Sequence, residues 1–292
     1  MKLIRIMQKQ NEEKKLRPEQ KQRRPGKESK MRPVPHTEPV KQQNKLDGKV
    51  ALITGGDSGI GKATALLFAA NGADIAIAYL SETDDAKATQ KEIREMGKEC
   101  LLIRGDLSKE VNCKKAVDKT IDKFSKLDIL VNNAALHWET ESLEEISTDQ
   151  LERTFANNVF SYFWVTKYAL RHLKEGSAIV NTSSVTAYRG SGKLIDYSAT
   201  KGAIISFTRS LAQSLAPKKI RVNAVAPGPI WTPLIVSTFD EKRVAEFGSD
   251  TPLGRAGEPS EVAPCFLFLA SDDSTYITGQ CLHPNGGEIV NA

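Results

Sequence analysis

The sequence predicts an α/β protein with one doubly wound domain, in which helices cover both faces of a parallel sheet. From residue 48 onward, short runs of β-branched and other apolar residues alternate with longer runs of helical character. Strands that alternate with helices in this way form βαβ units and a parallel sheet. A glycine cluster directly follows the first strand-like run, where such folds turn from strand to helix. These observations favour one domain of about 245 residues over two smaller ones.

Six strands and five helices are predicted in order along the chain. The strands are predicted over Lys49–Thr54, Asp74–Tyr79, Cys100–Arg104, Asp128–Val131, Ser177–Thr182 and Ile220–Ala224. The first helix follows the glycine cluster and has apolar residues at helical spacing over Ala63–Ala70. The other helices are predicted over residues 82–96, 108–124, 148–174 and 195–215. The crossovers between parallel strands should be right-handed.

The composition is that of a globular protein. Apolar residues make up 40% and charged residues 26%, which excludes a collagen-like, coiled-coil or wholly disordered chain. The apolar runs are too short to span a membrane, and the N-terminus lacks the apolar core of a signal peptide. Scattered cysteines indicate neither a disulfide framework nor a zinc site; they are Cys100, Cys113, Cys265 and Cys281. We therefore expect a cytoplasmic protein without a metal ion or membrane partner.

Charge is concentrated at the N-terminus. The first 47 residues contain 14 Lys and Arg against 6 Asp and Glu, whereas the remainder contains 27 against 30. Five of the 13 prolines also lie in this segment. A basic segment with few large apolar residues cannot offset its own ordering entropy. We therefore predict a basic, partly disordered arm over residues 1–47 and a domain over residues 48–292.

The arm allows three interpretations. Its charge could bind nucleic acid through counterion release, it could be a solvated tail, or it could lie on a neighbouring subunit. No aromatic residues separate its basic residues, so nucleic acid is not an expected partner. Its prolines favour an extended chain, long enough to reach a neighbour. We expect residues 33–47 to be ordered on the domain or a neighbour, and residues 1–30 to be mobile.

The glycine cluster has the spacing and context of a dinucleotide-binding turn. It reads G-x-x-x-G-x-G between the first strand and the first helix. Glycines allow a tight turn and a close backbone approach, while the helix N-terminus stabilises the charge of a pyrophosphate. The residues that we expect to bind the cofactor here are Thr54, Gly55, Asp57, Ser58, Gly59, Ile60 and Gly61.

A second group of residues suggests proton transfer. Tyr197 and Lys201 lie four residues apart in a predicted helix, so their side chains share one face. A phenol is a poor base at neutral pH, but an adjacent cation favours the phenolate. Ser184 lies just beyond a predicted strand end, the side of the sheet where ligands bind. Its hydroxyl could hydrogen-bond a substrate carbonyl there.

With these motifs in order, residues 48–292 resemble the short-chain dehydrogenase/reductase family, and in particular its bacterial general-stress and glucose-dehydrogenase-like members. The matching segments are TGGDSGIG (54–61), GDLS (105–108), NNAA (132–135), ANNVF (156–160), IVNTSS (179–184), YSATK (197–201), IRVNAVAPGPIWT (220–232) and ITGQCLHPNGG (277–287). Two positions depart from the usual family pattern, which has glycine in place of Ala135 and often aspartate in place of Asn285. The resemblance implies a Rossmann-type domain with a seven-stranded parallel sheet.

The resemblance also implies roles for individual residues. Tyr197 would be the general acid/base, Lys201 would lower its pKa and bind the nicotinamide ribose, and Ser184 would polarise the substrate carbonyl. Asn158 would anchor a water molecule in the proton relay, with Asn157 as the neighbouring candidate. Further contacts to the cofactor would come from Asp106, Leu107, Asn133, Ala134, Pro227, Gly228, Ile230 and Thr232.

The choice between NAD and NADP depends on charge near the ribose 2′ position. NADP usually needs an Arg or Lys in the glycine turn or after the second strand. Those positions hold Ser58, Tyr79, Leu80 and Ser81, followed by the acidic residues Glu82, Asp84 and Asp85. Negative charge should disfavour the 2′-phosphate. The sequence therefore favours NAD, with NADP as the alternative, and places Tyr79 at the cofactor.

The substrate is open on sequence alone: an alcohol, sugar, aldehyde or ketone would fit. We expect a lid over about 230–256 to cover the substrate pocket. The pocket should also be lined by His137 and Trp138, which follow the fourth predicted strand, and by Tyr188 and Arg189, which follow the fifth. The alternatives to an enzyme are a cofactor-binding sensor or scaffold without turnover, and nucleic-acid binding through the arm. Because Ser184, Tyr197 and Lys201 are all present, an enzyme is favoured.

The family resemblance implies a homotetramer. In it, helices 148–174 and 195–215 would pack against their symmetry mates. The first of these helices is apolar nearly all round, which one sheet alone cannot bury. The residues concerned are Phe155, Val159, Phe160, Tyr162, Phe163, Trp164 and Val165.

Overall fold

The computed structural model describes residues 44–290. They form a sheet of seven parallel strands in the order β3-β2-β1-β4-β5-β6-β7. The strands are β1 Val50–Thr54, β2 Asp74–Tyr79, β3 Cys100–Arg104, β4 Ile129–Asn132, β5 Ala178–Thr182, β6 Arg221–Val225 and β7 Cys281–Leu282. The predicted fold class, a Rossmann-type seven-stranded parallel sheet, is confirmed.

Helices connect the strands and cover both faces. They are α1 Gly59–Ala70, α2 Thr83–Glu95, α3 Glu110–Phe124, α4 Thr148–Phe155, α5 Ser161–Ala169, α6 Thr186–Arg189, α7 Ile195–Leu215, α8 Pro233–Thr238, α9 Glu241–Glu246 and α10 Pro259–Ala270. Short 3₁₀ turns lie at Leu143–Glu145, Ala216–Lys218 and Asp272–Ser274. The short helices α8 and α9 belong to the predicted lid.

Each face of the sheet has its own hydrophobic core. On one face α1 and α10 pack together, with Phe68 and Phe266 fully buried. On the other face α3, α5 and α7 pack on the sheet, with Val117 buried among them. Neighbouring residues of β1 serve the two cores, Ile53 the first and Leu52 the second. Burial of the sheet on both sides explains why its strands read as nearly continuous apolar runs.

The long helix predicted over 148–174 is interrupted. α4 ends at Phe155, residues 156–160 form a π-helical turn, and α5 ends at Ala169. Residues of the sequence ANNVF are compatible with a regular helix, so periodicity could not reveal this break. Widened turns of this kind are frequent at functional sites, and this one contains Asn158.

The arm lies almost entirely outside the described residues, as do the predictions made for residues 1–30 and for most of 33–47. Where the description begins, Leu46 is 1% exposed and packs in the core beside α1. Its backbone N–H donates to the carbonyl of Asn71 at 2.9 Å. Leu46 therefore packs as part of the domain, ahead of the boundary predicted at residue 48.

Within residues 44–290, no helix combines the length and the apolar character needed to cross a bilayer. The same residues contain no group of three or more His, Cys, Asp or Glu side chains placed to hold a metal ion. All four cysteines are free thiols, two of them buried.

Candidate active site

The strand order reverses between β1 and β4, and doubly wound sheets bind ligands at the carboxyl ends of the strands at such a point. The Thr54 hydroxyl accepts hydrogen bonds from the backbone N–H groups of Asn133, at 2.8 Å, and Ala134, at 3.0 Å. The Asn133 amide donates to the carbonyls of Thr54 and Gly55 and accepts from the Thr182 hydroxyl. The Asn133 side chain thus holds the ends of three strands and the glycine turn together.

The glycine turn is compatible only with glycine at several positions. Gly55 and Gly59 have φ of +63° and +51°, in the left-handed region that favours glycine. A Cβ on Gly61 would lie 1.9 Å from the carbonyl oxygen of Gly55. The Ser58 hydroxyl donates to Asp57 and does not cap α1. The first N–H groups of α1 therefore lie at a compact turn, which fits the pyrophosphate of a dinucleotide.

Negative charge surrounds the turn on the side of β2. Asp57 is 7% exposed, and burial, with smaller effects from the charges of Glu82 and Asp85, raises the pKa of its carboxyl. The Asp106 carboxylate accepts a hydrogen bond from the backbone N–H of Ser108 at 2.9 Å. Glu82 and Asp85, two of the acidic residues named from the sequence, therefore lie near enough to Asp57 to affect its pKa; the acidic surroundings of the ribose stay a prediction.

A cation that the sequence analysis did not consider lies on the same edge. β2 ends at Tyr79, which is paired in register with Arg104 at the end of β3. Hydrogen bonds from Ser81 lower the pKa of Glu82, and the charge of Arg104 lowers it further. Leu107, another predicted cofactor contact, is buried in the core on the α3 side. Arg104 could have been noticed in the sequence because it is the last residue of the predicted strand that follows β2.

The loop after β6 meets the glycine turn. Pro227 and Gly228 hold this loop through backbone hydrogen bonds. Ile230 is buried in the core beside α1 and α10. The Thr232 methyl group lies 3.1 Å from the position that a Cβ of Gly59 would occupy. Two segments that are about 170 residues apart in the sequence therefore form one side of the crevice.

Ser184 and Tyr197 are in direct contact. Ser184 follows β5, and Tyr197 lies in the first turns of α7. Burial raises the pKa of Tyr197 to about 12, while a hydrogen bond from the Ser184 hydroxyl lowers this pKa in part. The Ser184 oxygen accepts from the N–H and the hydroxyl of Thr186 at 3.2 and 3.1 Å. The Ser184 hydroxyl thus lies within reach of both Thr186 and the Tyr197 phenol.

Lys201 is fully buried beside the tyrosine. Its ammonium donates to the Thr182 carbonyl at 2.9 Å and lies 5.4 Å from the ring centre of Tyr197. Burial lowers the pKa of Lys201 to about 7. The family resemblance implies that Lys201 lowers the Tyr197 pKa, but in the structure burial is the main cause of the shift of both groups, since it disfavours both charged forms.

Of the two asparagines in the π turn, Asn158 faces the site. Its side chain binds both backbone groups of Leu136, accepting from the N–H at 2.9 Å and donating to the carbonyl at 2.8 Å. It also donates to the Thr200 hydroxyl at 3.2 Å, which donates to the carbonyl of Tyr197. Asn157 donates to a carbonyl of α4 on the exposed side. Asn158 therefore links the loop after β4 to α7.

A lid covers the tyrosine. The imidazole of His137 lies edge-on to the Tyr197 ring, with 4.9 Å between ring centres, and 5.6 Å from the ring of Phe239. Leu194 and Ile235 are buried in the same cluster. Arg243 of α9 pairs with a glutamate of the loop after β4, which joins the lid to that loop. The arrangement excludes water from one side of the phenol.

The other residues predicted to line the pocket have different surroundings. Trp138 packs under a guanidinium group of α4 at 4.9 Å. Tyr188 lies edge-on to His283 at 4.7 Å and lines a separate cavity of about 530 Å³ between α7 and β7. Arg189 pairs with Glu288 at 2.9 Å. Tyr188 of the short helix α6 therefore packs toward the strand β7, and its place in the substrate pocket stays a prediction.

Comparison with known proteins establishes the class. A family model described as enoyl-(acyl carrier protein) reductase matches residues 55–288. A short-chain dehydrogenase from Burkholderia cenocepacia, solved in complex with NADP, is 35% identical, with a TM-score of 0.79 over 83% of this chain and 98% of that chain. The chain belongs to the short-chain dehydrogenase/reductase family. It is therefore an NAD(P)-dependent oxidoreductase.

Named relatives of this dehydrogenase/reductase include stress proteins and sugar dehydrogenases. General stress protein 39 of Bacillus subtilis is 55% identical and covers 92% of this chain and 94% of its own length. NADPH-dependent aldehyde reductase 1 of Arabidopsis thaliana is 52% identical, and the match covers 92% of this chain and 96% of the relative. Glucose and ribitol dehydrogenase of Daucus carota is 50% identical, and the match covers 94% of this chain and 97% of the relative. The predicted resemblance to the general-stress and glucose-dehydrogenase-like members is confirmed.

In this dehydrogenase/reductase, a buried carboxylate that sequence reasoning missed positions the tyrosine. Asp196 is 2% exposed and accepts a hydrogen bond from the backbone N–H of Tyr197 at 2.8 Å. Its second oxygen accepts from the Thr154 hydroxyl and the Gln150 amide of α4. Asp196 could have been noticed in the sequence because it is an acidic residue in the first turn of a predicted helix, where it complements the helix dipole.

The buried imidazole has a consequence for stability. Burial, with a smaller effect of the Lys201 charge, lowers the pKa of His137 to about 4, against about 6.5 in an unfolded chain. Between these pH values the unfolded state takes up a proton that the folded state does not, so stability falls as pH falls. We expect His137→Asn to remove this dependence.

The expected size of the effect is up to about 3 kcal/mol in the free energy of unfolding by pH 4. Urea unfolding of the wild type and of His137→Asn at pH 7, 5.5 and 4.5 measures it. The difference in stability should shift in favour of the variant as the pH decreases. A constant difference would contradict the assigned pKa.

Proposed function

We propose that the chain transfers hydride between a nicotinamide cofactor and an alcohol or carbonyl carbon, with Tyr197 as the general acid/base. The observation that carries this proposal is the contact of Ser184, Tyr197 and buried Lys201 beside the crevice that holds the glycine turn. Proton transfer from a positioned side chain is the contribution that the protein must make when hydride moves directly.

We also propose that the protein is cytoplasmic. The four cysteines are free thiols, as is usual in the reducing cytoplasm.

Each group has a task in this proposal. Tyr197 exchanges the proton with the substrate oxygen, and Ser184 donates a hydrogen bond to that oxygen. In its protonated form, Lys201 provides positive charge next to the phenol, which offsets part of the cost that burial imposes on the phenolate. Asn158 acts as a positioning residue through its hydrogen bonds to Leu136 and Thr200.

The cofactor would lie across the carboxyl edge of the sheet. The glycine turn would hold the pyrophosphate, Asp106 and Leu107 the adenosine, and the loop from Pro227 to Thr232 the nicotinamide side. When bound, NAD or NADP supplies or accepts the hydride. The fit rests on the glycines at positions 55, 59 and 61, where backbone conformation or space excludes a side chain.

The test is an absorbance assay for the reduced nicotinamide. The purified chain is mixed with each cofactor and with a panel of sugars, polyols, aldehydes and ketones, at several pH values. We expect turnover of a sugar or aldehyde, since relatives carry such names. Cofactor binding without turnover of any panel member would indicate a sensor or scaffold instead.

Charge beside the ribose should set the cofactor preference. Glu82 and Asp85 raise the pKa of the Asp57 carboxyl, which indicates a negative potential unfavourable to a 2′-phosphate. Arg104 offsets part of it. The NAD preference predicted from the sequence has no support from the comparisons, in which a neighbour binds NADP and a relative is named for NADPH. It rests on these charges alone.

A substitution after β2 tests this electrostatic argument. Leu80 is 52% exposed, so an arginine there can extend into solvent. Leu80→Arg should increase NADP affinity relative to NAD by roughly tenfold, because a new cation would pair with the phosphate. Fluorescence titration gives both dissociation constants. Leu143→Arg, at another exposed leucine, is the control, and an unchanged ratio in Leu80→Arg would contradict the argument.

The proposed homotetramer would use the exposed face formed by the π-helical turn, α5 and α7. Phe160 and Phe163 are 45% and 48% exposed, and Phe163 stacks on Phe207 of α7 at 4.1 Å. The sequence expected this helix to be buried nearly all round; within the described chain, Tyr162 and Val165 are buried and the phenylalanines are left open. Exposed aromatic groups of this kind mark association surfaces.

Introducing charge on this face should disrupt assembly. Phe163→Glu is expected to convert a tetramer to dimers or monomers, because a carboxylate cannot be buried there without a partner. Size-exclusion chromatography with light scattering measures the mass. Val111→Glu, at an exposed position of α3, should leave the mass unchanged. A wild type that is already monomeric would contradict the proposed homotetramer.

A further inference from the structure

The imidazole of His137 contains a polar atom that the rest of the described chain leaves unused. His137 is 7% exposed, and its Nδ1 has no hydrogen-bond partner within residues 44–290. The Phe239 ring of the lid lies beside the imidazole and belongs to an apolar cluster with Ile235. A buried polar atom without a partner is unfavourable, so this nitrogen points to a ligand that completes it.

The imidazole is held firmly in place. Asn158 binds the N–H and the carbonyl of Leu136, the preceding residue, at 2.9 and 2.8 Å. The rings of Tyr197 and Phe239 flank the imidazole, with 4.9 and 5.6 Å between ring centres. A group fixed in this way loses little entropy when it binds a ligand. The unused nitrogen is therefore suited to discriminate between substrates.

Charge determines which ligand group fits. Burial lowers the pKa of His137 to about 4, and the charges of Lys201 and, more weakly, Arg243 act in the same direction, while the Asp196 charge opposes them. The uncharged ring presents one hydrogen-bond donor and one acceptor. Arg243 is engaged by Glu139. A neutral hydroxyl, which both donates and accepts, matches this environment better than a carboxylate or a phosphate.

We infer that His137 is a specificity-determining residue that hydrogen-bonds a substrate hydroxyl next to the reacting carbon, so that hydroxy-aldehydes and polyols are preferred over simple aldehydes and alcohols. The inference rests on the proposed function, because it takes Tyr197 as the residue at the reacting oxygen. Since the two rings are in contact, a substrate held at the phenol brings its neighbouring carbon atoms past the imidazole.

The kinetic test compares glyceraldehyde with propanal, which has the same carbon chain without the hydroxyls. The wild type should prefer glyceraldehyde. His137→Phe keeps a ring but removes both nitrogens, and it should lower the glyceraldehyde-to-propanal ratio of kcat/KM roughly ten- to hundredfold, mainly through KM. His137→Asn keeps a polar atom near Nδ1 and should restore most of the ratio.

His172→Phe is the matched control, since this histidine lies beyond α5 in the turn that ends the helix. It should keep the wild-type ratio. A wild-type ratio in His137→Phe, or an equal loss for both aldehydes, would overturn the inference. Failure of the proposed function is distinct from either result, because the wild type itself would then turn over neither aldehyde.

A second measurement does not depend on turnover. Nitrogen NMR of the Tyr197→Phe protein with cofactor should show the His137 imidazole resonance shift when ribitol is added, but not when pentan-1-ol is added. The resonance is assigned by its loss in the same protein carrying His137→Asn. An unchanged resonance at saturating ribitol, or no binding of ribitol, would overturn the inference whether or not either aldehyde is turned over.

Discussion

Replacing Tyr197 with phenylalanine is expected to lower kcat by roughly 10²- to 10⁴-fold, the usual contribution of a positioned general acid/base. The change removes the phenol oxygen, and with it the hydrogen bond from Ser184. It keeps the aromatic ring, which packs against His137 at 4.9 Å. Cofactor affinity should therefore remain near that of the wild type. Steady-state kinetics and a fluorescence titration with the reduced cofactor measure the two quantities separately.

Tyr168→Phe is the matched control. This tyrosine lies on α5, where its hydroxyl donates to Glu110 of α3 at 2.9 Å, so both kcat and cofactor affinity should be retained. Near-normal kcat in Tyr197→Phe would show that another group transfers the proton. A parallel loss of cofactor affinity would show that the substitution disturbed the site as a whole.

The second large effect is expected at the glycine turn. Gly61→Ala should weaken cofactor binding at least roughly a hundredfold and destabilise the fold by about 1–3 kcal/mol, as overpacking does. The added Cβ would lie 1.9 Å from the Gly55 carbonyl oxygen and 2.7 Å from Nδ2 of Asn133. The carbonyl cannot move away freely, since that same Nδ2 donates to it at 3.1 Å. The turn must therefore open.

Thermal unfolding and titration with reduced cofactor test this prediction. Gly192→Ala provides the control, because a Cβ at Gly192 meets nothing within 4 Å in the described structure. It should leave both the melting temperature and cofactor affinity close to the wild-type values. Wild-type affinity in Gly61→Ala would mean that the turn does not approach the cofactor.

The sequence predicted the strands well and one helix poorly. Predicted and observed bounds of β2 and β3 agree, those of β1 and β5 differ by one residue at the start, and those of β4 and β6 are shifted by one residue at both ends. Strands buried on both faces read as short apolar runs with clear ends. β7 escaped notice because Cys281–Leu282 is only two residues long. The break between α4 and α5 escaped because a π turn leaves the apolar pattern nearly unchanged.

The site could be predicted where its chemistry follows from local spacing. The strand–glycine–helix turn and the interval between Tyr197 and Lys201 are local features, and the structure places both at the carboxyl edge of the sheet. The choice between Asn157 and Asn158 needed the structure, since neighbouring residues of a helix point in different directions. Asp196 was missed because its burial depends on α4, which is distant in the sequence.

The sequence by itself determined the fold class, the glycine turn and the order of the Ser, Tyr and Lys residues. These depend on covalent spacing and on which residues are apolar. Only the tertiary structure decided that Lys201 is fully buried, that Nδ1 of His137 has no hydrogen-bond partner within residues 44–290, and that Tyr188 faces a separate cavity. The physical reason is desolvation: the pKa and the hydrogen-bonding needs of a side chain depend on every segment that excludes water from it.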